Sequence, residues 1–242
     1  MNDCLVLLPG WGVAPAVLQP LVDSVRLRMP ELEVRLVALP IDSGSEPEHW
    51  LDTLEAQIPH NTWLGGWSLG GMLATALAAR RGSSCLGLFT FAANPRFVAH
   101  PDWPQAMPEE TFSAFYQGCI QDSAATLKRF SLLCAQGCPG GRAISRQLAA
   151  YYQQQTADEY LSGLEVLAKL DNRSCLADIK APQLHVLAAQ DALVPAGAAQ
   201  RIAGLTSKAE VHLMESAGHA ALIEQPEVLA GFLTAFLRRT HP

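Results

Sequence analysis

The chain has 242 residues, of which 49% are hydrophobic, and its formal net charge is −6. This length supports one large domain with an insertion, and the composition is not that of a disordered segment or a repeat array. The acidic balance argues against a general attraction to nucleic acid or to an anionic membrane surface. Six scattered cysteines, with no C-x-x-C pair and no histidines at metal spacing, predict reduced thiols and neither a metal nor another cofactor.

The chain opens on an apolar run, residues 4–8, which ends at Pro9-Gly10. A continuous apolar run of this length predicts a strand buried on both faces of a parallel sheet. No basic segment precedes the run, and no apolar stretch reaches the length of a membrane-spanning helix, so we expect a cytoplasmic protein. The loop Gly10-Trp11-Gly12 follows the strand, where a backbone N–H can point into a cleft.

Helical segments and short apolar runs then alternate. The predicted helices are 17–29, 46–58 and 69–81, and the predicted strands are 34–38, 62–65 and 86–91. This alternation predicts an α/β fold with a mostly parallel, doubly wound sheet and helices on both faces.

Residues 64–71 place Ser68 between glycines at minus two and plus two, Gly66 and Gly70. A strand that reverses into a helix within one residue forces that residue into a strained conformation, and flanking glycines make room for the chain crossing. We interpret the segment as a nucleophile elbow that exposes the serine hydroxyl at the end of a strand. The alternative is a glycine-rich turn in which the serine only caps the helix.

Prolines punctuate the chain after Asn94, and four helices are predicted without an intervening strand, at 109–118, 123–136, 141–155 and 157–169. We interpret residues 95–171 as a helical cap (lid) inserted into an α/β core of residues 1–94 and 172–242. Strands resume at 183–188 and 210–214, with helices at 196–203 and 226–239.

A serine hydroxyl needs a base that is oriented by a carboxylate. Asp191 and His219 each follow a predicted late strand, so both should emerge at the same sheet edge as Ser68. Their order along the chain, Ser, Asp, His, is the order expected for this type of elbow. Either residue alone is more often structural, and it is their joint placement that favours a catalytic triad.

Ester cleavage also needs two N–H donors for the oxyanion, each worth about 3 kcal/mol in the transition state. Leu69, directly after the nucleophile, supplies one, and Trp11 is the natural second. The alternative for Trp11 is simple core packing.

With these elements assembled, the chain resembles an α/β-hydrolase over essentially its full length, and more narrowly the pimeloyl-acyl carrier protein methyl ester esterases of biotin synthesis. The segments that carry this resemblance are Leu7-Leu8-Pro9-Gly10-Trp11-Gly12, Gly66-Trp67-Ser68-Leu69-Gly70-Gly71, Asn94-Pro95-Arg96-Phe97, Asp102-Trp103-Pro104, Lys128-Arg129-Phe130 and Gln190-Asp191-Ala192-Leu193-Val194-Pro195. The family usually carries histidine at the position of Pro9, which leaves the geometry of the following loop open.

The resemblance implies hydrolysis of a carrier-linked pimeloyl methyl ester to methanol and the free acid. It also implies that Trp11, Leu69, Phe130 and Cys134 contact the acyl chain. On spacing alone, Phe130 is equally well an ordinary apolar residue of a cap helix.

The cap carries a local basic segment. No acidic residue occurs between Asp122 and Asp158, and this segment contains four basic residues: Lys128, Arg129, Arg142 and Arg146. Arg142 and Arg146 share a helix face suited to the phosphate or carboxylates of an acyl carrier protein. The alternative is a solvated basic face on a protein that we expect to be a monomer.

Other functions remain open at this stage. A broad carboxylesterase or a lactonase would use the same residues, and so would transferases and cofactor-free haloperoxidases. A non-catalytic ligand-binding protein would have no reason to keep Ser68, Asp191 and His219 together.

Overall fold

The computed structural model describes residues 4–240 and contains one six-stranded sheet, in which every neighbouring pair of strands is parallel. The strands are β1 (Cys4–Leu8), β2 (Glu33–Leu36), β3 (Thr62–Trp67), β4 (Cys85–Phe91), β5 (Gln183–Ala188) and β6 (Ala209–Met214). Their order is β2-β1-β3-β4-β5-β6, which reverses after β2 as in a doubly wound sheet. The predicted fold class is confirmed.

The burial of each strand explains how apolar its sequence is. All residues of β1, β3 and β5 are buried, whereas β2 at one edge and β6 at the other are largely half-buried or exposed. Central strands of a parallel sheet are covered on both faces and therefore need apolar side chains throughout.

Eleven helices are present in residues 4–240. They are α1 (Gln19–Arg28), α2 (Pro47–Gln57), α3 (Leu69–Arg81), α4 (Glu109–Gln121), α5 (Ser123–Ala135), α6 (Gly141–Ala149), α7 (Ala157–Lys169), α8 (Arg173–Asp178), α9 (Ala198–Leu205), α10 (Ala221–Glu224) and α11 (Pro226–Thr240). Helix α1 packs on α11, while α2 and α8 both pack on α3. The short helices α8 and α10 were not predicted, because neither is long enough to show a helical period.

Helices α4–α7 are inserted between β4 and β5. Helix α5 packs against α4 and α6, and α4 packs against α7. The two ends of the insertion are tied together where Arg96 pairs with Asp171, with Nη1 2.9 Å from Oδ2, and where Asn172 N donates to Pro95 O. The division into a core and a 95–171 cap stays a prediction, because one continuous hydrophobic cluster runs through both parts.

Helix α6 ends at Ala149, six residues before the predicted end at 155. The chain beyond it pairs with the loop after β1: Ala14 N donates to Tyr151 O, and Gln153 N donates to Gly12 O. No glycine or proline marks this stop in the sequence, since a tertiary contact sets it.

His185 on β5 is a completely buried polar residue. Its Nδ1 lies 2.7 Å from Thr90 Oγ1 and its Nε2 lies 3.1 Å from Gln183 Oε1. Burial disfavours the charged imidazolium and lowers the pKa of His185 to about 4.

This depressed pKa predicts a specific loss of stability in acid. Between pH 6.5 and 4 the unfolded chain takes up a proton that folded His185 refuses, so the free energy of unfolding falls, by about 3 kcal/mol for this group. We expect urea unfolding at pH 7 and pH 4.5 to show a smaller acid-induced loss for His185→Gln than for the wild type. The exposed His49→Gln should behave as the wild type, and equal losses in all three proteins would contradict the assignment.

Candidate active site

Ser68 joins β3 to α3 with φ 54° and ψ −123°, in the left-handed region that a residue with a side chain rarely adopts. Its backbone N–H donates to Phe91 O at 3.0 Å, which ties the turn to the end of β4. The Ser68 side chain makes no capping hydrogen bond to α3. The helix-capping alternative is therefore wrong, and the hydroxyl is available for another role.

The glycines at minus two and plus two have the steric role that the sequence predicted. A Cβ on Gly66 would lie 2.4 Å from the carbonyl carbon of Gly70, and a Cβ on Gly70 would lie 2.3 Å from Pro9 O. Both distances are too short for any side chain. The strand, the helix and the loop after β1 cross at these two positions.

Asp191 and His219 lie together at the carboxyl edge of the sheet. Asp191 Oδ2 is 2.7 Å from His219 Nδ1, and both side chains are completely buried. The other carboxylate oxygen accepts hydrogen bonds from Leu193 N and Val194 N, at 2.8 and 2.9 Å. The carboxylate is thus held by three donors, and it orients the imidazole through Nδ1.

The second imidazole nitrogen is left free by this arrangement. His219 Nε2 is buried and has no hydrogen-bond partner among residues 4–240. A buried polar atom without a partner is costly and is a common feature of functional sites. It suits a base that accepts a proton during a reaction.

Trp67 binds the loop that carries His219. It was not identified as a site residue from the sequence. Its Nε1 donates to His219 O at 2.9 Å, and the two rings lie 5.3 Å apart. The residue before Ser68 therefore fixes the position of His219. Its position beside Ser68 was the only signal for this role in the sequence.

Ser68 faces a narrow apolar cavity between the sheet edge and the inserted helices. All the other lining residues are apolar; they are Trp11, Phe97, Met107, Phe112, Phe115, Phe130, Leu164, Leu167 and Leu193. No charged side chain reaches this lining. The cavity suits a hydrocarbon chain.

Two of the residues expected to contact an acyl chain do not line this cavity. Leu69 and Cys134 are both completely buried elsewhere. Cys134 lies one turn beyond Phe130, where α5 has passed the cavity and reached the acid loop. Burial, with a smaller contribution from the nearby Asp191 carboxylate, raises the pKa of its thiol well above the usual value.

The assignment of Trp11 and Leu69 as oxyanion donors stays a prediction, and two observations are consistent with it. Leu69 is the first residue of α3, where a backbone N–H has no acceptor within the helix. The backbone N–H of Trp11 donates to no acceptor in the described part of the chain.

Pro9 does not leave the following loop unsupported. Gly12 O and Ala14 N bond to the segment after α6, and the Trp11 indole donates from Nε1 to Tyr160 O at 2.9 Å. The inserted helices brace the loop directly.

The four residues of the predicted basic segment are all exposed. Lys128, Arg142 and Arg146 line an open groove together with Leu132 and Ser145, and Arg129 lies beside it on α5. None of the four cations forms an ion pair within residues 4–240. Their charge is therefore open to an external partner.

None of the helices in the described residues combines the length and apolarity that crossing a bilayer requires. The same residues contain no cluster of three or more residues of the His, Cys, Asp and Glu types that could hold a metal ion. Of the remaining histidines, His241 lies outside the described residues.

The parallel sheet, the elbow and the buried acid–histidine pair define the class of protein. The alpha/beta hydrolase fold family matches residues 47–226. Solved structures agree with this class: a bromoperoxidase from Bacillus anthracis has a TM-score of 0.85 at 18% identity, covering 98% of this chain and 92% of that one. An esterase from Exiguobacterium antarcticum has a TM-score of 0.82 at 17% identity, with the same coverage.

Sequence relatives narrow the family. The pimeloyl-[acyl-carrier protein] methyl ester esterase of Aromatoleum aromaticum is 33% identical over 97% of this chain and 98% of its own. The biotin biosynthesis bifunctional protein BioHC of Cellvibrio japonicus is 38% identical over 96% of this chain but 47% of its own, so the chain spans about half the length of that relative. The chain belongs to the pimeloyl-[acyl-carrier protein] methyl ester esterase family of alpha/beta hydrolases.

The crossing at the elbow predicts an unequal response of two helical glycines to alanine. Gly70→Ala should destabilise the protein by about 3 kcal/mol or more and abolish esterase activity, because its Cβ meets backbone atoms that cannot move aside. In Gly231→Ala of α11 the new Cβ would meet no atom within 4 Å. This substitution should leave the free energy of unfolding unchanged or raise it by up to about 1 kcal/mol. Urea unfolding measures both; similar values for the two variants would contradict the steric role of Gly70.

Proposed function

We propose that this protein is a serine carboxylic ester hydrolase that cleaves the methyl ester of pimeloyl-acyl carrier protein, releasing methanol and pimeloyl-acyl carrier protein. The observation that carries this proposal is the buried Asp191–His219 pair with a free Nε2, at the same sheet edge as a strained Ser68 that faces an apolar cavity. The names of the full-length relatives support the choice of ester.

In the first half of the reaction, Ser68 Oγ attacks the ester carbonyl carbon while its proton passes to His219 Nε2. Asp191 stabilises the resulting imidazolium through Nδ1. The backbone N–H groups of Trp11 and Leu69 donate to the oxyanion of the tetrahedral intermediate. The intermediate collapses when the methoxy group leaves as methanol with the proton from His219.

The second half repeats these steps with water. His219 Nε2 removes a proton from water, the hydroxide attacks the acyl-serine, and the Ser68 oxygen leaves with the proton. The product is a carboxylate. An apolar lining without a cation stabilises the neutral ester better than this charged product, which favours release of the acid.

The cavity and the basic groove divide recognition between them. The cavity lined by residues such as Phe112 and Phe130 holds the methylene chain, and its apolar walls do not distinguish closely related chains strongly. The groove containing Lys128, Arg142 and Arg146 binds the acidic carrier protein. On this proposal the enzyme acts on a small ester, but more efficiently on one that is attached to its carrier.

The proposal is tested with methyl pimeloyl thioesters of two carriers, the acyl carrier protein and free pantetheine. We expect Ser68→Ala to lower kcat by at least about 10³-fold on both substrates, since the nucleophile is lost. We expect Arg142→Glu/Arg146→Glu to lower kcat/KM about tenfold on the protein-linked ester alone, because like charges then face each other. Methanol release measures both rates.

A matched variant controls for net charge. Arg26 and Lys208 are exposed and lie outside the insertion, so Arg26→Glu/Lys208→Glu changes the charge equally. This variant should hydrolyse both esters at the wild-type rate. Two outcomes would instead indicate a general esterase or lactonase with a solvated basic face. One is an equal loss of kcat/KM in both double variants, and the other is a wild-type enzyme that hydrolyses only the pantetheine ester.

A further inference from the structure

We propose that Gly163 of α7 is a positioning residue for the oxyanion site. Because Gly163 has no side chain, the inserted helices can pack closely against the Trp11 indole. This packing sets the direction of the Trp11 backbone N–H. The inference rests on the proposed esterase activity, in which that N–H stabilises the transition state.

The Trp11 side chain is held by the insertion although its backbone belongs to the loop after β1. Its Nε1 donates to Tyr160 O on α7 at 2.9 Å. Its ring packs edge-on against Phe130 of α5, Phe115 of α4 and Tyr160, with centroids 5.2, 5.6 and 5.7 Å away. Three inserted helices therefore surround one indole.

Gly163 lies three residues after Tyr160, on the same face of α7. A Cβ at this position would lie 2.7 Å from Trp11 Cδ1 and 3.1 Å from Nε1. The first contact is shorter than real Cβ atoms show and the second is unusually tight, so alanine would push the indole away from Tyr160 O. The glycine is what allows the hydrogen bond and the packing to coexist.

Backbone conformation gives no other reason for this glycine. Gly163 lies in the interior of a helix and is not one of the residues with positive φ. Glycine there costs about 1 kcal/mol relative to alanine. The cost is explained by the close approach of the indole.

The packing of the indole affects the Trp11 backbone because the rest of the loop is also fixed. Gly12 O accepts from Gln153 N, and Ala14 N donates to Tyr151 O, so the insertion holds the chain directly after Trp11. Before Trp11, a Cβ on Gly10 would lie 2.9 Å from Trp67 Cε3, so the loop is packed against the elbow as well. We therefore expect a shift of the indole to be transmitted to the Trp11 backbone.

The test is a double-mutant cycle of Gly163→Ala and Trp11→Ala, assayed on the methyl pimeloyl thioester of pantetheine. Trp11→Ala keeps the backbone N–H and removes the ring. We expect Gly163→Ala to lower kcat about tenfold in the wild-type background with less than a twofold change in KM, and to have less than a twofold effect beside Trp11→Ala. Ser162→Ala, next to it on α7, should retain wild-type kcat.

A trifluoromethyl ketone inhibitor distinguishes a misplaced oxyanion donor from general damage to the active site, because it forms a tetrahedral oxyanion adduct with the serine. Its Ki should rise with the loss of kcat in Gly163→Ala, while the Ki of the parent methyl ketone, which does not form the adduct appreciably, stays constant. An equal loss of kcat in both backgrounds, unchanged kcat, or equal changes in the two Ki values would overturn the inference. Inactivity of the wild type on the ester would instead overturn the proposed function.

Discussion

The positive φ of Ser68 is the constraint on which the site depends. A residue held in this region costs about 1–3 kcal/mol, so the surroundings must enforce it. The buried strand β3 leads into the turn, Phe91 O accepts the Ser68 N–H, and Gly66 and Gly70 allow the chain to cross itself. The strain places a hydroxyl at the carboxyl edge of the sheet, where the acid and the histidine also emerge.

The site is built jointly by the sheet and the inserted helices. Two loops of the candidate site are tied to the insertion: Gly12 O accepts from Gln153 N, and Ala220 N, next to His219, donates to Cys134 O. Gly140 N donates to the Glu224 carboxylate just beyond the histidine loop. The insertion thus supports two loops of the candidate site and also forms a wall of the apolar cavity.

Several segments that carried the family resemblance are structural. Trp103 Nε1 donates to Asn94 Oδ1, and Asn94 Nδ2 donates to Gln105 O, at 2.9 and 2.7 Å. With Arg96 bound to Asp171, these contacts close the stem of the insertion. The stem keeps the helices over Ser68 without contributing a reactive group.

Sequence reasoning could predict what local chemistry and chain order determine. The elbow has a steric signature, and Asp191 and His219 follow strands that a parallel sheet brings to one edge. It could not predict contacts that depend on how elements pack. Periodicity places Phe130 and Cys134 on one face of α5, but only the course of that helix puts one in the cavity and the other beside Asp191. The hydrogen bond from Trp67 to His219 O also joins residues that no local pattern connects.

The most direct measurement of the central claim is labelling with an alkyl fluorophosphonate, followed by intact mass and peptide mapping. The account predicts one equivalent on Ser68, with labelling slowed by at least about 10³-fold in His219→Ala because the base is lost. No adduct, an adduct on another residue, or a rate that does not depend on His219 would contradict it.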